Sequence, residues 1–158
     1  MTKYEKAMKL IEERCGQEKE EIIALATIDL TPSNAGASRP VVRLVSAYYE
    51  DGAFYVSTDA RKNKMKQIEK NNEVSVCGFG WYSFHGIAEN LGWVKDEKNA
   101  YIREKFNKCF EWFEQDGGED DPNSIILKIN LTEGSIIDFE QKYGELHYKI
   151  DFINKVAD

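Results

Sequence analysis

The sequence has few cysteines and no arrangement that would join them. Cys15, Cys77 and Cys109 are far apart along the chain, and none belongs to a CxxC pair. Disulfide frameworks and structural zinc sites need paired or regularly spaced thiols, so neither is expected here. We predict three reduced, mostly buried thiols and no metal site.

Long apolar runs and an excess of basic residues are absent as well. No stretch approaches the roughly 18 apolar residues of a membrane-spanning helix, and the N-terminal MTKYEKAMKLIEER carries charges between its apolar residues, unlike a signal peptide. With 28 acidic and 21 basic residues, the formal net charge is −7. This balance argues against a general nucleic-acid or membrane-surface binder. We therefore expect a cytoplasmic protein with no nucleic acid or membrane among its partners.

What the sequence does contain is a series of short segments rich in β-branched and aromatic residues. The predicted strands are IIALATIDL, PVVRLVSAYY, AFYVST, EVSVCGFG, WYSFHGIAENLGWV, SIILKINL and SIIDFE. EDG at 50–52 predicts a hairpin, and apolar periodicity predicts a helix ending near Gly16 and another after Asp96 that includes Phe110 and Phe113. We predict one domain over residues 1–158, mainly β (α+β), built as a six- to seven-stranded antiparallel β-barrel with flanking helices. A β-sandwich is the alternative.

One turn of this acidic chain carries four cations, and we call it the basic turn: Arg61, Lys62, Lys64 and Lys66. It follows the strand AFYVST, where Ser57, Thr58 or Asp59 is predicted to cap a short helix. The helix dipole makes cations unfavourable at this end. Free backbone N–H groups, hydroxyls and cations together would bind a phosphate dianion and offset the repulsion. The alternative is a solvated surface whose charges are balanced by nearby acids.

The strand before the hairpin carries two arginines. Arg39 and Arg43 are separated by an even number of residues, so on a regular strand they project from the same face. The EDG hairpin pairs this strand with AFYVST, which would bring the arginines toward Ser57 and Thr58. The pattern therefore favours one anion site that draws on both strands and on the basic turn.

These motifs occur in the order SRPVVRLVSAYYEDGAFYVSTDARKNKMKQIEKNNEVSVCGFG, then a Trp and SFHGIAEN. The succession resembles the FMN-binding split barrels of the pyridoxamine 5'-phosphate oxidase-like family, in particular its small general-stress-protein-like members, over about residues 3 to 140. The resemblance implies an antiparallel split β-barrel that forms a homodimer with FMN at the interface. Carried over by position, it implies that the FMN phosphate is bound by a set of residues on these segments: Arg39 or Arg43, Ser57, Thr58, and Lys62 or Lys64.

Three further side chains are candidates for a role at the cofactor. Trp112 lies off the apolar stripe of its helix, where related small members keep aromatic residues near the flavin, so it is our candidate for a contact from the second chain. Burial in its own core is the alternative. His85 and His147 have the chemistry for acid–base work or haem ligation, and a structural role is the alternative for each.

The resemblance implies a small FMN-dependent oxidoreductase with a small-molecule substrate or a nicotinamide electron donor. In such an enzyme the flavin carries the redox chemistry, so we assign no side chain as catalyst. The family's true oxidases end in an arginine-rich segment, whereas HYKIDFINKVAD has no arginine. The classical pyridoxamine phosphate reaction is therefore not expected. The alternative function is a flavin- or haem-binding carrier or stress-response module without turnover.

Overall fold

A computed structural model describes residues 1–31, 36, 38–113 and 118–158. Its elements, in chain order, are α1 Lys3–Cys15, β1 Glu21–Asp29, β2 Arg39–Glu50, β3 Ala53–Asp59, α2 Asn63–Lys70, β4 Glu73–Gly78, β5 Tyr82–Trp93, a 3₁₀ turn Glu97–Asn99, α3 Ala100–Cys109, β6 Ser124–Ile137, β7 His147–Asp151 and β8 Val156–Ala157. Among these described residues, no helix is both long and apolar enough to cross a membrane.

Six antiparallel strands form a closed barrel. The sheet order is β3-β2-β1-β4-β5-β6, and β3 also pairs with β6, which closes the ring; β7 and β8 continue the sheet beyond β6. The β3–β6 pairing runs from Ala53↔Asn130 to Asp59↔Ser124. The predicted barrel with flanking helices is thereby confirmed, because a sandwich would leave its two sheets open at this edge.

The strands form where the side chains alternate between the barrel interior and its outer surface. On β1, Ile23, Leu25 and Thr27 are buried while their neighbours are not. The predicted hairpin is present between β2 and β3, where Asp51 and Gly52 have φ values of 43° and 79°. Two successive left-handed residues are what a tight hairpin turn requires, and glycine adopts that conformation at no steric cost.

Helix α1 ends at Cys15, one residue before Gly16, as its apolar periodicity predicts. Thr2 and Glu5 form a capping box at its start, which satisfies two backbone N–H groups. The helix buries Leu10 and Ile11 completely against the barrel. It therefore covers one side of the barrel and contributes to its core.

Two local predictions are wrong. Phe110 and Phe113 lie beyond α3, which ends at Cys109, although both are buried in the cluster that α3 forms with β3. SIILKINL and SIIDFE form one continuous strand, β6. A side chain at Gly134 would come within 2.4 Å of the Ser83 carbonyl oxygen, so this glycine permits close pairing with β5 and does not end the strand. The thiols are mostly buried, as predicted: Cys15 and Cys109 are buried, whereas Cys77 is exposed because it alternates with the buried Val74 and Val76 of β4.

Candidate anion-binding site

The basic turn joins β3 to α2, and its backbone differs from the prediction. The N-cap of α2 is Lys62, which has no side-chain cap, and not Ser57, Thr58 or Asp59. The carboxylate of Asp59 instead accepts the backbone N–H of Arg61 at 2.8 Å, which forms a turn before the helix begins. Within the described residues, the first N–H groups of α2 are therefore not satisfied by a capping side chain.

Arg61 does not contribute a free charge to this region. Its Nη2 donates to Asp59 at 2.7 Å and to Asp121 at 3.0 Å, and its Nε donates to Asp59 at 3.0 Å. Hydrogen bonds from Arg61 hold the pKa of the Asp59 carboxyl well below its usual range. This cation is balanced by two carboxylates, so it fits the alternative of a compensated surface charge.

Lys64 is in the opposite situation. Its side chain is half-buried, and burial lowers its pKa below the usual value. Arg43 and Lys62 add to the effect, and the carboxylate of Asp59 opposes it more weakly. In the part of the chain that the structure describes, no ion pair is formed by Lys62 or by Lys64. A half-buried ammonium group beside two other cations is costly unless an anion joins them. Arg43, Lys62 and Lys64 therefore form a cationic cluster, and we use that name for these three residues.

Arg43 projects to the same side of β2 as the buried Ala47 and Tyr49, toward the end of the barrel that α2 covers. It donates from Nη1 to Thr27 Oγ1 at 2.7 Å and to the Leu25 carbonyl oxygen at 3.3 Å. Its Nη2 donates to Gln67 Oε1 at 3.1 Å. All of these acceptors are neutral, so they orient the guanidinium without cancelling its charge.

Arg39 shares this side of β2 but not this environment. Its Nη2 forms an ion pair with Asp29 Oδ2 at 3.1 Å, directly across the β1–β2 pair, and its side chain is about half exposed. It lines a separate hollow of about 230 Å³ together with Lys66 and Lys70. The two arginines therefore lie on one face of β2, as predicted, but in different environments. Arg43 belongs to the cationic cluster, and Arg39 pairs with an acid.

Ser57, Thr58 and Lys62 line one cavity of about 320 Å³, and Trp112 forms part of the same wall. The carboxylates of Asp59 and Asp121, which bind Arg61, line it as well. Thr58 lies on the same face of β3 as the buried Val56, which is the barrel side, whereas Ser57 lies on the other side. The structure therefore brings both hydroxyls and one cation of the predicted set together within one chain.

Trp112 is fixed by contacts within its own chain. Its ring stacks on Phe110 with a centroid distance of 5.0 Å, and its indole N–H donates to Glu20 Oε1 at 2.9 Å. It is partly buried and borders the cavity of Ser57 and Thr58. A contact from this residue to a flavin bound by a second chain stays a prediction.

His85 and His147, the two histidines of the chain, line one groove of about 660 Å³ along β5, β6 and β7. Both are exposed, and His85 Nδ1 lies 2.8 Å from Ser75 Oγ. This groove is on the outer surface of the barrel. The described ranges contain no group of three or more His, Cys, Asp or Glu side chains arranged to hold a metal ion.

Two residues of the site, Thr27 and Gln67, were not predicted from the sequence. Thr27 has a detectable signal, because in IIALATIDL it lies on the same inward face as Ile23 and Leu25, and a buried hydroxyl needs a partner. Gln67 has no such signal. Its position one turn after Lys64 is equally typical of a solvated helix face.

A closed six-stranded antiparallel barrel, with a short helix over one end and a cationic cluster at the start of that helix, defines a small split-barrel protein. The sequence profile of the pyridoxamine 5'-phosphate oxidase family matches residues 11–138, and the chain belongs to that family. A comparison with curated protein sequences finds no match.

Solved structures of low sequence identity share the fold. General stress protein 26 from Bacillus anthracis is 22% identical, with a TM-score of 0.56 over 85% of this chain and 92% of that one. A pyridoxamine 5'-phosphate oxidase-related, FMN-binding protein from Nostoc punctiforme is 13% identical, with a TM-score of 0.59 over 94% and 89%. The haem storage protein HutZ from Vibrio cholerae is 15% identical, with a TM-score of 0.57 over 83% and 91%.

Proposed function

We propose that the chain, as one domain over residues 1–158, binds FMN and that the cationic cluster holds its phosphate. The observation that carries this proposal is the half-buried Lys64, placed beside Arg43 and Lys62 with no balancing ion pair in the described residues. A phosphate dianion would supply the missing negative charge, and the uncapped N–H groups of α2 would add hydrogen bonds to it.

The proposed phosphate ligands are the guanidinium of Arg43, the ammonium groups of Lys62 and Lys64, and the hydroxyls of Ser57 and Thr58. Arg39 is left as a weaker candidate because Asp29 already balances its charge. Trp112 borders the cavity of the two hydroxyls. Its proposed role is the one that the resemblance implies, a contact with the flavin that the second chain binds. The flavin, when bound, supplies the electron-transfer chemistry.

We also propose that the protein is a homodimer with the flavin at the interface. Val42 and Leu44 are 67% and 73% exposed on the outer face of β2. They pair across the sheet with Ala26 and Ala24, so they continue into an apolar strip on β1. Large exposed apolar side chains in such a strip are typical of a protein interface. Arg43 lies between them in sequence and faces the barrel, so one strand carries both the apolar strip and a proposed phosphate ligand, on opposite faces.

The proposed activity is that of a small oxidoreductase that uses a small-molecule substrate or a nicotinamide donor. A flavin-binding carrier or stress-response module without turnover uses the same phosphate site and is the alternative. A cytoplasmic location stays a prediction of the sequence. Reduction of the bound flavin by NADH or NADPH in the absence of air would support the oxidoreductase, and a flavin that stays oxidised would favour the carrier.

Haem binding is the second candidate, and one observation favours it. His85 and His147 are exposed in a single groove, and the contact of His85 Nδ1 with Ser75 leaves its Nε2 available to a ligand. Addition of hemin would then give a Soret band that is lost in H85A or H147A. A spectrum that both variants leave unchanged would remove this candidate.

The proposal of FMN binding is tested by adding FMN to purified protein, desalting it and recording the visible spectrum. Retention of a flavin spectrum at about one FMN per chain is the expected result. A colourless protein after desalting, together with a melting temperature that saturating FMN does not change, would overturn the proposal.

A further inference from the structure

Two neutral side chains, Thr27 and Gln67, hold the guanidinium of Arg43. Thr27 Oγ1 donates a hydrogen bond to Gln67 Oε1 at 2.5 Å, and these two oxygens accept hydrogen bonds from Nη1 and Nη2 of Arg43, respectively. Two oxygens at this spacing, bonded to the two terminal nitrogens of a guanidinium, reproduce the geometry of a carboxylate bound by arginine. Thr27 is 1% exposed, so one side of this arrangement is fixed in the core.

The arrangement differs from a carboxylate in its charge. A threonine hydroxyl and a glutamine amide are neutral, so they fix the orientation of the guanidinium and leave its positive charge intact. Burial lowers the pKa of Arg43, and among the described residues no acidic side chain opposes that effect. Arg61, by contrast, has an orientation fixed by Asp59 and Asp121, which also cancel its charge.

The same hydrogen bonds leave one edge of the Arg43 guanidinium available. Both Nη1 protons are used, by Thr27 Oγ1 and by the Leu25 carbonyl oxygen, and one Nη2 proton is used by Gln67. Within the described residues, the Nε–H and the remaining Nη2–H have no acceptor. These two adjacent N–H groups form the side fork of arginine, which binds two oxygens of a phosphate at once.

We propose that Thr27 and Gln67 are positioning residues for anion binding: they hold Arg43 as a neutral clamp, so that its Nε and Nη2 edge binds the phosphate with an undiminished charge. The inference rests on the proposed function. Gln67 lies one turn after Lys64 on α2, so the clamp also sets the position of the arginine on β2 relative to the lysine on the helix. The neutral character of Gln67 is then a determinant of specificity for phosphorylated ligands.

The sharpest test is Gln67→Glu, which has almost the same shape and adds one negative charge. The new carboxylate would pair with Arg43 and compete with the phosphate. We expect FMN to bind at least about tenfold more weakly, because a charge-assisted contact is lost, while riboflavin binding stays within about twofold of the parent. The melting temperature of the flavin-free protein should not fall, because an ion pair replaces a neutral contact. Gln141→Glu adds the same charge at an exposed position remote from the site and is the matched control.

Thr27 provides the second variant pair. Thr27→Val removes the buried hydroxyl with little change in shape and should weaken FMN binding. Thr27→Ser keeps the hydroxyl and should keep most of the parent's affinity. A role in packing alone would give the reverse order, since valine fills the space better than serine does. Melting temperatures of both variants identify any loss that comes from folding.

The outcomes separate the two proposals. If the parent prefers FMN to riboflavin and Gln67→Glu leaves that preference unchanged, the clamp is wrong and the proposed function stands. If the parent itself does not distinguish FMN from riboflavin, the phosphate site and the clamp are both overturned. A selective loss of FMN affinity in Gln67→Glu, absent from Gln141→Glu, supports both.

Discussion

At the scale of single residues, the cations near the basic turn differ in what surrounds them. Arg61 and Arg39 are paired with carboxylates, while Lys64 and Arg43 are half-buried and form no ion pair with a carboxylate of the described residues. The sequence gives the charge and spacing of these side chains, but it does not show their partners. Asp29 lies on a different strand from Arg39, and Asp121 lies 60 residues from Arg61. Because the pairing of Arg39 with Asp29 is not visible in the sequence, the pattern could not show which of Arg39 and Arg43 is free to bind a phosphate.

The two arginines of β2 should respond differently to the same substitution. Arg43→Lys replaces a clamped fork with a single ammonium group and should weaken FMN binding about tenfold or more. Arg39→Lys keeps the ion pair with Asp29 within reach and should leave the affinity near that of the parent. Isothermal titration with FMN measures both, and equal affinities for the two variants would contradict the assignment of the phosphate to Arg43.

The lowered pKa of Lys64 gives FMN binding a pH dependence. Burial, followed by Arg43 and Lys62, brings this pKa below the ordinary 10.5, so the free protein loses the charge at a lower pH than an exposed lysine would. A bound phosphate favours the charged form and raises the pKa again. Affinity for FMN should therefore be full at neutral pH and fall as the pH rises through the lowered pKa.

Lys64→Arg removes this titration, because arginine stays charged throughout the accessible range. Its FMN affinity should show a smaller decline at alkaline pH than the parent's, measured relative to riboflavin at each pH to correct for ionisation of the flavin itself. A parallel decline in the parent and in the variant would show that Lys64 is not the titrating group.

At the scale of secondary-structure elements, the site is formed where β2, β3 and α2 meet. The hairpin between β2 and β3 was predictable, because EDG supplies the two left-handed residues that the turn needs. The start of α2 was not, because Asp59 is a good capping residue that the structure uses for the turn before the helix. The continuous β6 was also missed, since the reason for Gly134 lies on the neighbouring strand.

Arg61 connects the basic turn to the segment that precedes β6. It binds Asp59 on one side and Asp121 on the other, and Ala60 donates its backbone N–H to the Asn123 carbonyl oxygen at 2.8 Å. Arg61→Ala should therefore loosen this junction, seen as faster amide hydrogen exchange at Ala60 and Ser124.

The same variant should reduce FMN affinity less than Lys64→Ala does, because Arg61 has no free charge to offer the phosphate. Lys149→Ala, a change at an exposed position of β7, serves as the control for loss of one positive charge. A larger effect on FMN binding from Arg61→Ala than from Lys64→Ala would reverse the roles assigned to these two cations.

At the scale of the whole molecule, the class of fold follows from the order of the strands and helices, and the chain's membership of the pyridoxamine 5'-phosphate oxidase family agrees with it. The alternation of Arg43 with Val42 and Leu44 explains how one strand serves both a cationic cluster and an apolar surface. The apolar surface was not predicted from PVVRLVS, because a run of this kind is equally typical of a strand that is buried on both faces.

The proposed dimer is tested by placing a charge in the apolar strip. Leu44→Glu should shift the protein from dimer to monomer in light scattering, because an unpaired carboxylate would be buried at the interface. Ile153→Glu, at a residue that is 70% exposed in the turn between β7 and β8, is the control and should leave the mass unchanged. A parent protein that is monomeric at concentrations where FMN is bound would contradict the interface site.

The most direct test of the central claim is the affinity of the parent protein for FMN and for riboflavin, measured side by side by quenching of flavin fluorescence. The two ligands share the isoalloxazine ring and the ribityl chain and differ in the phosphate. If the cationic cluster binds that phosphate through two or more charge-assisted contacts, FMN should bind about a hundredfold more tightly, and Lys64→Ala should reduce the difference about tenfold or more. Equal affinities for FMN and riboflavin would contradict the account.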